Sequence, residues 1–153
     1  MRAKWFTASL VVVGLFVVSS PPSFAGTPVS QAKQLALFKV LDGPFSKADN
    51  KWTDTLSSLT SRATVAQVSK PSLAFVPALK AFDIGLQKIG FTGNTAVEAT
   101  DVVKLNGKLI TILNSIKSLG SFQAQVSALF SKYSPVQNAL AKDFGIAAGD
   151  VVI

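Results

Sequence analysis

Apolar residues recur at intervals of three and four along most of this chain, and that spacing leaves room for little but packed helices. The clearest series runs Val65, Val68, Ser72, Phe75, Leu79, Phe82, Leu86 and Ile89. A second runs Val102, Leu105, Leu109, Ile112, Ile116 and Leu119, and a third Phe122, Val126, Leu129, Tyr133, Val136, Leu140 and Phe144. Each covers about three heptads along one seam, as in helices that lie side by side in a bundle. Alternation with period two, the mark of a half-buried strand, never lasts more than a few residues between these series. The spacing predicts an all-α, antiparallel up-and-down bundle of four or five helices.

Local signals place the ends of those helices. Gly90 follows Lys88-Ile89 and Gly120 follows Lys117-Ser118-Leu119, where a left-handed cap and a cation in the last turn are both wanted. Thr95-Ala96-Val97-Glu98 has the form of a capping box, so Phe91 to Asn94 becomes a tight link between helices that end at 89 and begin at 95. Ser121 then caps the next helix directly after Gly120. Thr64 opens a bent helix over 64–89 (Ser69 is the alternative start), with Pro71 and Pro77 off the seam, where bending absorbs them. Ser134-Pro135-Val136-Gln137 fits a fresh helix start and predicts a break or a marked kink. Nearer the N-terminus, Thr27-Pro28 opens a helix through Val40 or Leu41, and Asp42-Gly43-Pro44 ends or kinks it. Ser46 caps a new segment carrying the stripe Trp52, Leu56, Leu59. The apolar tail Gly145–Ile153 lies irregularly against the bundle.

The first 25 residues read differently. Arg2 and Lys4 precede an apolar run from Trp5 to Val18, Ser19-Ser20-Pro21-Pro22 breaks it, and Ser23-Phe24-Ala25 supplies small residues at −3 and −1 of a cleavage site. Positive, apolar, breaker, small-x-small is the order of a secretory signal peptide. The run of about 14 residues is short of the roughly 20 that span a hydrocarbon core, which disfavours the competing reading of an uncleaved anchor. The division expected is 1–25 as signal peptide and 26–153 as one helical domain. Cleavage after Ala25 of the 153-residue chain leaves 128 residues, enough for a core of its own. The expected destination is the cell envelope or the outside of the cell, with no transmembrane helix in the mature chain.

Composition narrows the chemistry. The chain has no Cys, so no disulfide staples it and no lipid can be attached through an N-terminal Cys. It also has no His, the commonest general acid/base and transition-metal ligand. Ser-His and Cys-His nucleophile pairs are thereby impossible, and zinc, copper and haem lose their usual ligands. The acids Asp42, Asp49, Asp54, Asp83, Glu98, Asp101, Asp143 and Asp150 are scattered singly. Asp49 to Asp54 departs from a calcium loop, with Lys51 at the third position and no central Gly. Gly145-x-x-x-Gly149 lies outside any 20-residue apolar segment, so a membrane dimerisation motif does not apply. No catalytic residue, metal site or cofactor is predicted, and the composition points away from an enzyme.

Two residue sets carry the functional expectations. Past Ala25 there are 13 basic against 8 acidic residues, a net charge of +5 that favours anionic surfaces or lipid. Lys80, Lys88, Lys104 and Lys108 fall off the seams and define a candidate basic contact face; the plainer reading is a solubilising surface. Phe75, Phe82, Phe122 and Phe130 lie on or beside the seams. They fill a core, or they line a void that holds an acyl chain or other apolar ligand. Nucleic acid is disfavoured as a partner, because exposed aromatics do not alternate with the basic residues. The expected role is a non-catalytic envelope or extracellular interaction protein of unknown partner, with a carrier of an apolar ligand as the alternative.

The segment Ala78-Leu-Lys-Ala-Phe-Asp-Ile-Gly-Leu86, followed by a Gly-containing turn and Asp101-x-x-x-Leu105-x-x-x-Leu109, resembles small exported helical-bundle proteins of actinobacteria. The ending Asn138-Ala-Leu-Ala-Lys-Asp-Phe-Gly-Ile146 is similar to the closing helix of those proteins. The resemblance covers about half of residues 26–153. Many such proteins carry a lipoprotein Cys that this chain lacks. The resemblance implies an exported helical bundle and no particular activity.

Overall fold

The computed structural model describes residues 29–147 and 151; the segment 1–25 expected to be a signal peptide, Thr27-Pro28 and most of the tail, including Gly149, lie outside the described residues. Four helices follow one another: α1 Gln31–Ser57, α2 Val65–Lys88, α3 Gly93–Asn114 and α4 Leu119–Phe144. They form an antiparallel up-and-down bundle. Gln34 of α1 reaches the carbonyl of Gly90 just past the end of α2, while Trp52 of α1 donates to Ser72 near the start of α2. The circuit closes between α1 and α4, where Phe38 meets Phe144 and Trp52 meets Phe130. Short links, Ile89–Thr92 and Ser115–Ser118, force the other two reversals.

The seams are the core. Val68, Ser72, Phe75, Leu79, Phe82, Leu86 and Ile89 are buried, as are Val102, Leu105 and Leu109 of α3 and Phe122, Val126, Leu129, Tyr133, Leu140 and Phe144 of α4. α1 contributes Phe38, Phe45, Trp52 and Leu56. A column of rings runs up the α1–α2 interface: Trp52 stacks on Phe75 at 4.9 Å, and Phe45 stacks on Phe82 at 4.3 Å. Such offset pairs add to the burial of large apolar surfaces.

Several expected helix ends do not occur. α1 runs unbroken through Asp42-Gly43-Pro44 and past Ser46, and α4 through Pro135. Both prolines are exposed, so the hydrogen bond each removes lies on the wet side of its helix, where water can satisfy the freed carbonyl. Phe38, Phe45 and Trp52, seven residues apart, keep one seam facing the core across the Gly43-Pro44 pair. That seam outweighs the local breakers.

Caps also differ. Thr64 does cap α2, in a full capping box with Gln67. Thr95 and Glu98 instead lie inside α3, whose N-cap is Thr92. Gly90 is not left-handed; the described glycines at positive φ are Gly93 and Gly145. Gln34 replaces the expected cap as the clasp of this turn, its Nε2 donating to the Val29 carbonyl at 2.9 Å and lying within 3.4 Å of the Gly90 carbonyl and 3.3 Å of Thr92 Oγ1. At the next turn α3 stops at Asn114, so Ile116 and Leu119 of the second seam lie beyond it. Gly120 and Ser121 sit in the first turn of α4, and the cap is Ser118, whose hydroxyl accepts from the Ser121 amide at 3.3 Å. Gly145, at φ 66°, closes α4 in the left-handed conformation with Lys142 in the last turn. Of the tail, Val151 is buried and its carbonyl accepts from Gln137, which holds it to the bundle as expected.

Candidate functional site

The bundle sorts its charges by sign. All thirteen Lys and Arg residues in the described region are exposed. Of the seven described carboxylates only Asp54 is fully exposed; Asp42, Asp49, Asp83, Glu98, Asp101 and Asp143 are all partly buried. The periodicity explains this. Asp49 follows Phe45 by four residues and precedes Trp52 by three, which turns it toward the core of α1. Asp83 directly follows buried Phe82 and leans toward α3. The lysines fall instead on outward positions, with long stems that carry the ammonium into water.

The inward acids meet a polar layer that crosses three helices. Tyr133 of α4 donates its hydroxyl to Asn106 Oδ1 at 2.7 Å, and Asn106 of α3 donates through Nδ2 to Asp83 Oδ1 of α2 at 2.6 Å. Asn106 and Tyr133 are buried, so each group depends on the others for its hydrogen bonds. Burial pushes the Asp83 carboxyl up to about 6, and the Asn106 bond partly opposes that rise. Burial also raises Asp49 of α1 to about 6. Tyr133 is held neutral by burial and by the charges of Asp83 and Asp49. Every helix thus contributes a polar side chain at this level of the bundle.

A second acidic group lies at the end of the bundle formed by the start of α3 and the end of α4. Burial, with the charges of Asp143 and Asp101, lifts Glu98 to about 7, and its Oε2 is out of water without a hydrogen-bond partner. This carboxyl therefore holds its proton to higher pH than an ordinary glutamate. Asp101 forms an ion pair with Lys104 at 3.0 Å. The outer surface is more cationic than the formal charge of +5 suggests.

The four candidate lysines stand on this shell. Lys80 and Lys88 are exposed on α2, Lys104 and Lys108 on α3. Lys104 is partly neutralised by Asp101. Of the candidate Phe residues, Phe75 and Phe82 are buried in the ring column, and Phe130 packs at its edge against Trp52 and Tyr133. Phe122, also buried, forms the floor of an open cleft of about 240 Å³ at the α3–α4 turn, beside Ile112, Ile116, Lys117 and Gln125. No helix among the described residues is long and apolar enough to cross a membrane. Sequence spacing alone missed the polar layer, whose members are 23 and 27 residues apart. The signals for it were an Asn next to Leu105 and an Asp between Phe45 and Trp52, both beside a seam.

No family model matches the chain, and no curated protein or solved structure is similar to it.

Proposed function

We propose that this chain is an exported, non-catalytic interaction protein that binds an anionic surface of the cell envelope. The observation that carries the reading is the sorting of charge: every described cation faces solvent, while five of the seven described carboxylates are partly buried and a sixth, Asp101, is paired with Lys104. Such a shell creates a positive potential over most of the molecule and attracts anionic surfaces by long-range steering. Export rests on Arg2, Lys4, the apolar run and Ser23-Phe24-Ala25, and it agrees with the resemblance to small exported actinobacterial bundles. The mature protein then begins at Gly26, which N-terminal sequencing of the exported product checks; intact Met1 in the membrane fraction would contradict it.

The lack of His and Cys supports a non-catalytic role, since the remaining acids and lysines are dispersed. Binding through the lysines must weaken with salt, because the Debye length falls from about 10 Å at 0.1 M to about 3 Å at 1 M. Retention on envelope fractions at low and high salt tests this. Loss at high salt, with further loss on charge reversal at Lys104 and Lys108, is the expected result. The alternative is a carrier for an apolar ligand. The Phe-rich seams motivate it, and a lipid found by mass spectrometry in gently purified protein, with retention indifferent to salt, would replace the interaction reading.

A further inference from the structure

Four of the five large apolar side chains that the described surface exposes belong to one hairpin: Leu37 and Val40 on α1, Leu73 and Ile84 on α2. Val40 lies two residues past buried Phe38, Ile84 two past buried Phe82, and Leu73 two before buried Phe75. Two residues turn a helix by about 200°, so all three stand on the outer side of the hairpin. Val40 is 71% exposed and Ile84 53%, well beyond what a seam edge requires. The next residues, Leu41 and Gly85, mark a close approach of the two helices, since a Cβ at Gly85 would overlap the Leu41 side chain. Val40 and Ile84 therefore flank a tight seam and present one outer face.

Lysines stand on that face as well as at its ends: exposed Lys47, two past buried Phe45, and exposed Lys80, two before buried Phe82, point outward by the same rule. Gln34 sits at the Gly90 carbonyl, which places exposed Lys33 and Lys88 together at one end. Trp52 bonds Ser72, which places exposed Lys51 and Lys70 at the other. The acids of the hairpin, Asp42, Asp49 and Asp83, turn inward, leaving Asp54 beyond Lys51 as its exposed carboxylate. Aliphatic side chains interleaved with lysines suit a lipid interface, with the aliphatic chains below the headgroups and the ammonium groups among the phosphates.

We propose that the outer face of the α1–α2 hairpin docks flat on an anionic phospholipid bilayer. This rests on the anionic-surface reading above and names both the partner and the face. A second copy fits the face poorly, because a symmetric pairing would bring two sets of lysines together without carboxylates between them. A purely anionic polymer would leave Leu37, Val40, Leu73 and Ile84 without an apolar partner.

The chain has no Cys, so single-site variants can carry one environment-sensitive fluorophore. Full-length Ile84→Cys and, as control on α3, Val97→Cys are labelled and mixed with vesicles of phosphatidylcholine alone or with equal parts phosphatidylglycerol. On the anionic vesicles the label at 84 should shift to the blue and lose several-fold in iodide quenching, while the label at 97 stays accessible. Both proteins share the same N-terminal segment, so any binding by Trp5–Val18 moves both labels alike. In parallel, Val40→Asp with Ile84→Asp should lower the partition coefficient by about tenfold, with helix content unchanged, through loss of two aliphatic transfers. Equal responses at 84 and 97, equal binding to neutral vesicles, or an undiminished partition of the double variant would each overturn the proposal. So would shielding of the label at 84 by protein concentration alone, which would assign the face to a second copy. Salt-sensitive retention on anionic vesicles with a silent label at 84 removes this face and keeps the anionic-surface reading. No retention on anionic vesicles or anionic polymers removes both.

Discussion

Replacing Asp83 by Asn removes a charge from the polar layer while keeping the shape and an oxygen for Asn106 to donate to. In the native state burial holds this carboxyl at about 6, against an ordinary value of 3.8. The folded protein therefore binds the proton more readily than the unfolded chain between about pH 4 and 6. Over that window the stability of the wild type falls as pH rises, and above it the full cost of the buried charge is present. A shift of about two pH units corresponds to roughly 3 kcal/mol, at about 1.4 kcal/mol per unit. The carboxyl keeps part of its contact with water, which screens the charge, so about half of that, near 1.5 kcal/mol, is the expected cost. Asp83→Asn should thus raise stability by about 1.5 kcal/mol at pH 8 and leave it unchanged below about pH 4. Urea unfolding of both proteins at pH 4, 5, 6 and 8, followed by circular dichroism, measures the difference. A variant less stable than wild type at pH 8, or a difference independent of pH, would refute the reasoning.

Three other substitutions test the packing. Tyr133→Phe strands the buried Oδ1 of Asn106 without its donor and should cost about 1–3 kcal/mol in the same unfolding assay. Thr64→Ala removes the capping box at the start of α2 and should cost about 1 kcal/mol, read as a lower urea midpoint at unchanged slope. Trp52→Ala empties a site stacked on Phe75 and should cost about 3–5 kcal/mol; a loss below 1 kcal/mol would mean that the ring column does not form.

Helix number and order were legible because the seams of α2, α3 and α4 are long and regular, and burial follows them almost residue by residue. The misleading helix breakers lay at exposed positions. Pro44 and Pro135 read as breakers, but each sits on a solvent face, where a lost hydrogen bond costs less than breaking the seam. The seam of α1 was written in Phe38, Phe45 and Trp52, yet the Asp42-Gly43-Pro44 signal between them cut it in two. Turns were the weakest part, since Gln34, more than fifty residues away in sequence, fixes the link after α2. The outward lysines were legible as off-seam residues. The inward carboxylates and the Asp83–Asn106–Tyr133 chain were not, because they depend on three helices meeting at one level.

The central claim is that a cationic shell with few exposed carboxylates binds anionic surfaces. The most direct measurement is the partition of the full chain onto anionic vesicles across a salt series, beside the charge-reversed variants Lys33→Glu with Lys88→Glu and Lys104→Glu with Lys108→Glu. Binding should fall steadily as salt rises, because the surface charges are screened once their separation exceeds the Debye length. Both charge reversals should weaken it, the α1–α2 pair more strongly. Partition that is flat across the salt series and indifferent to both reversals would contradict the account.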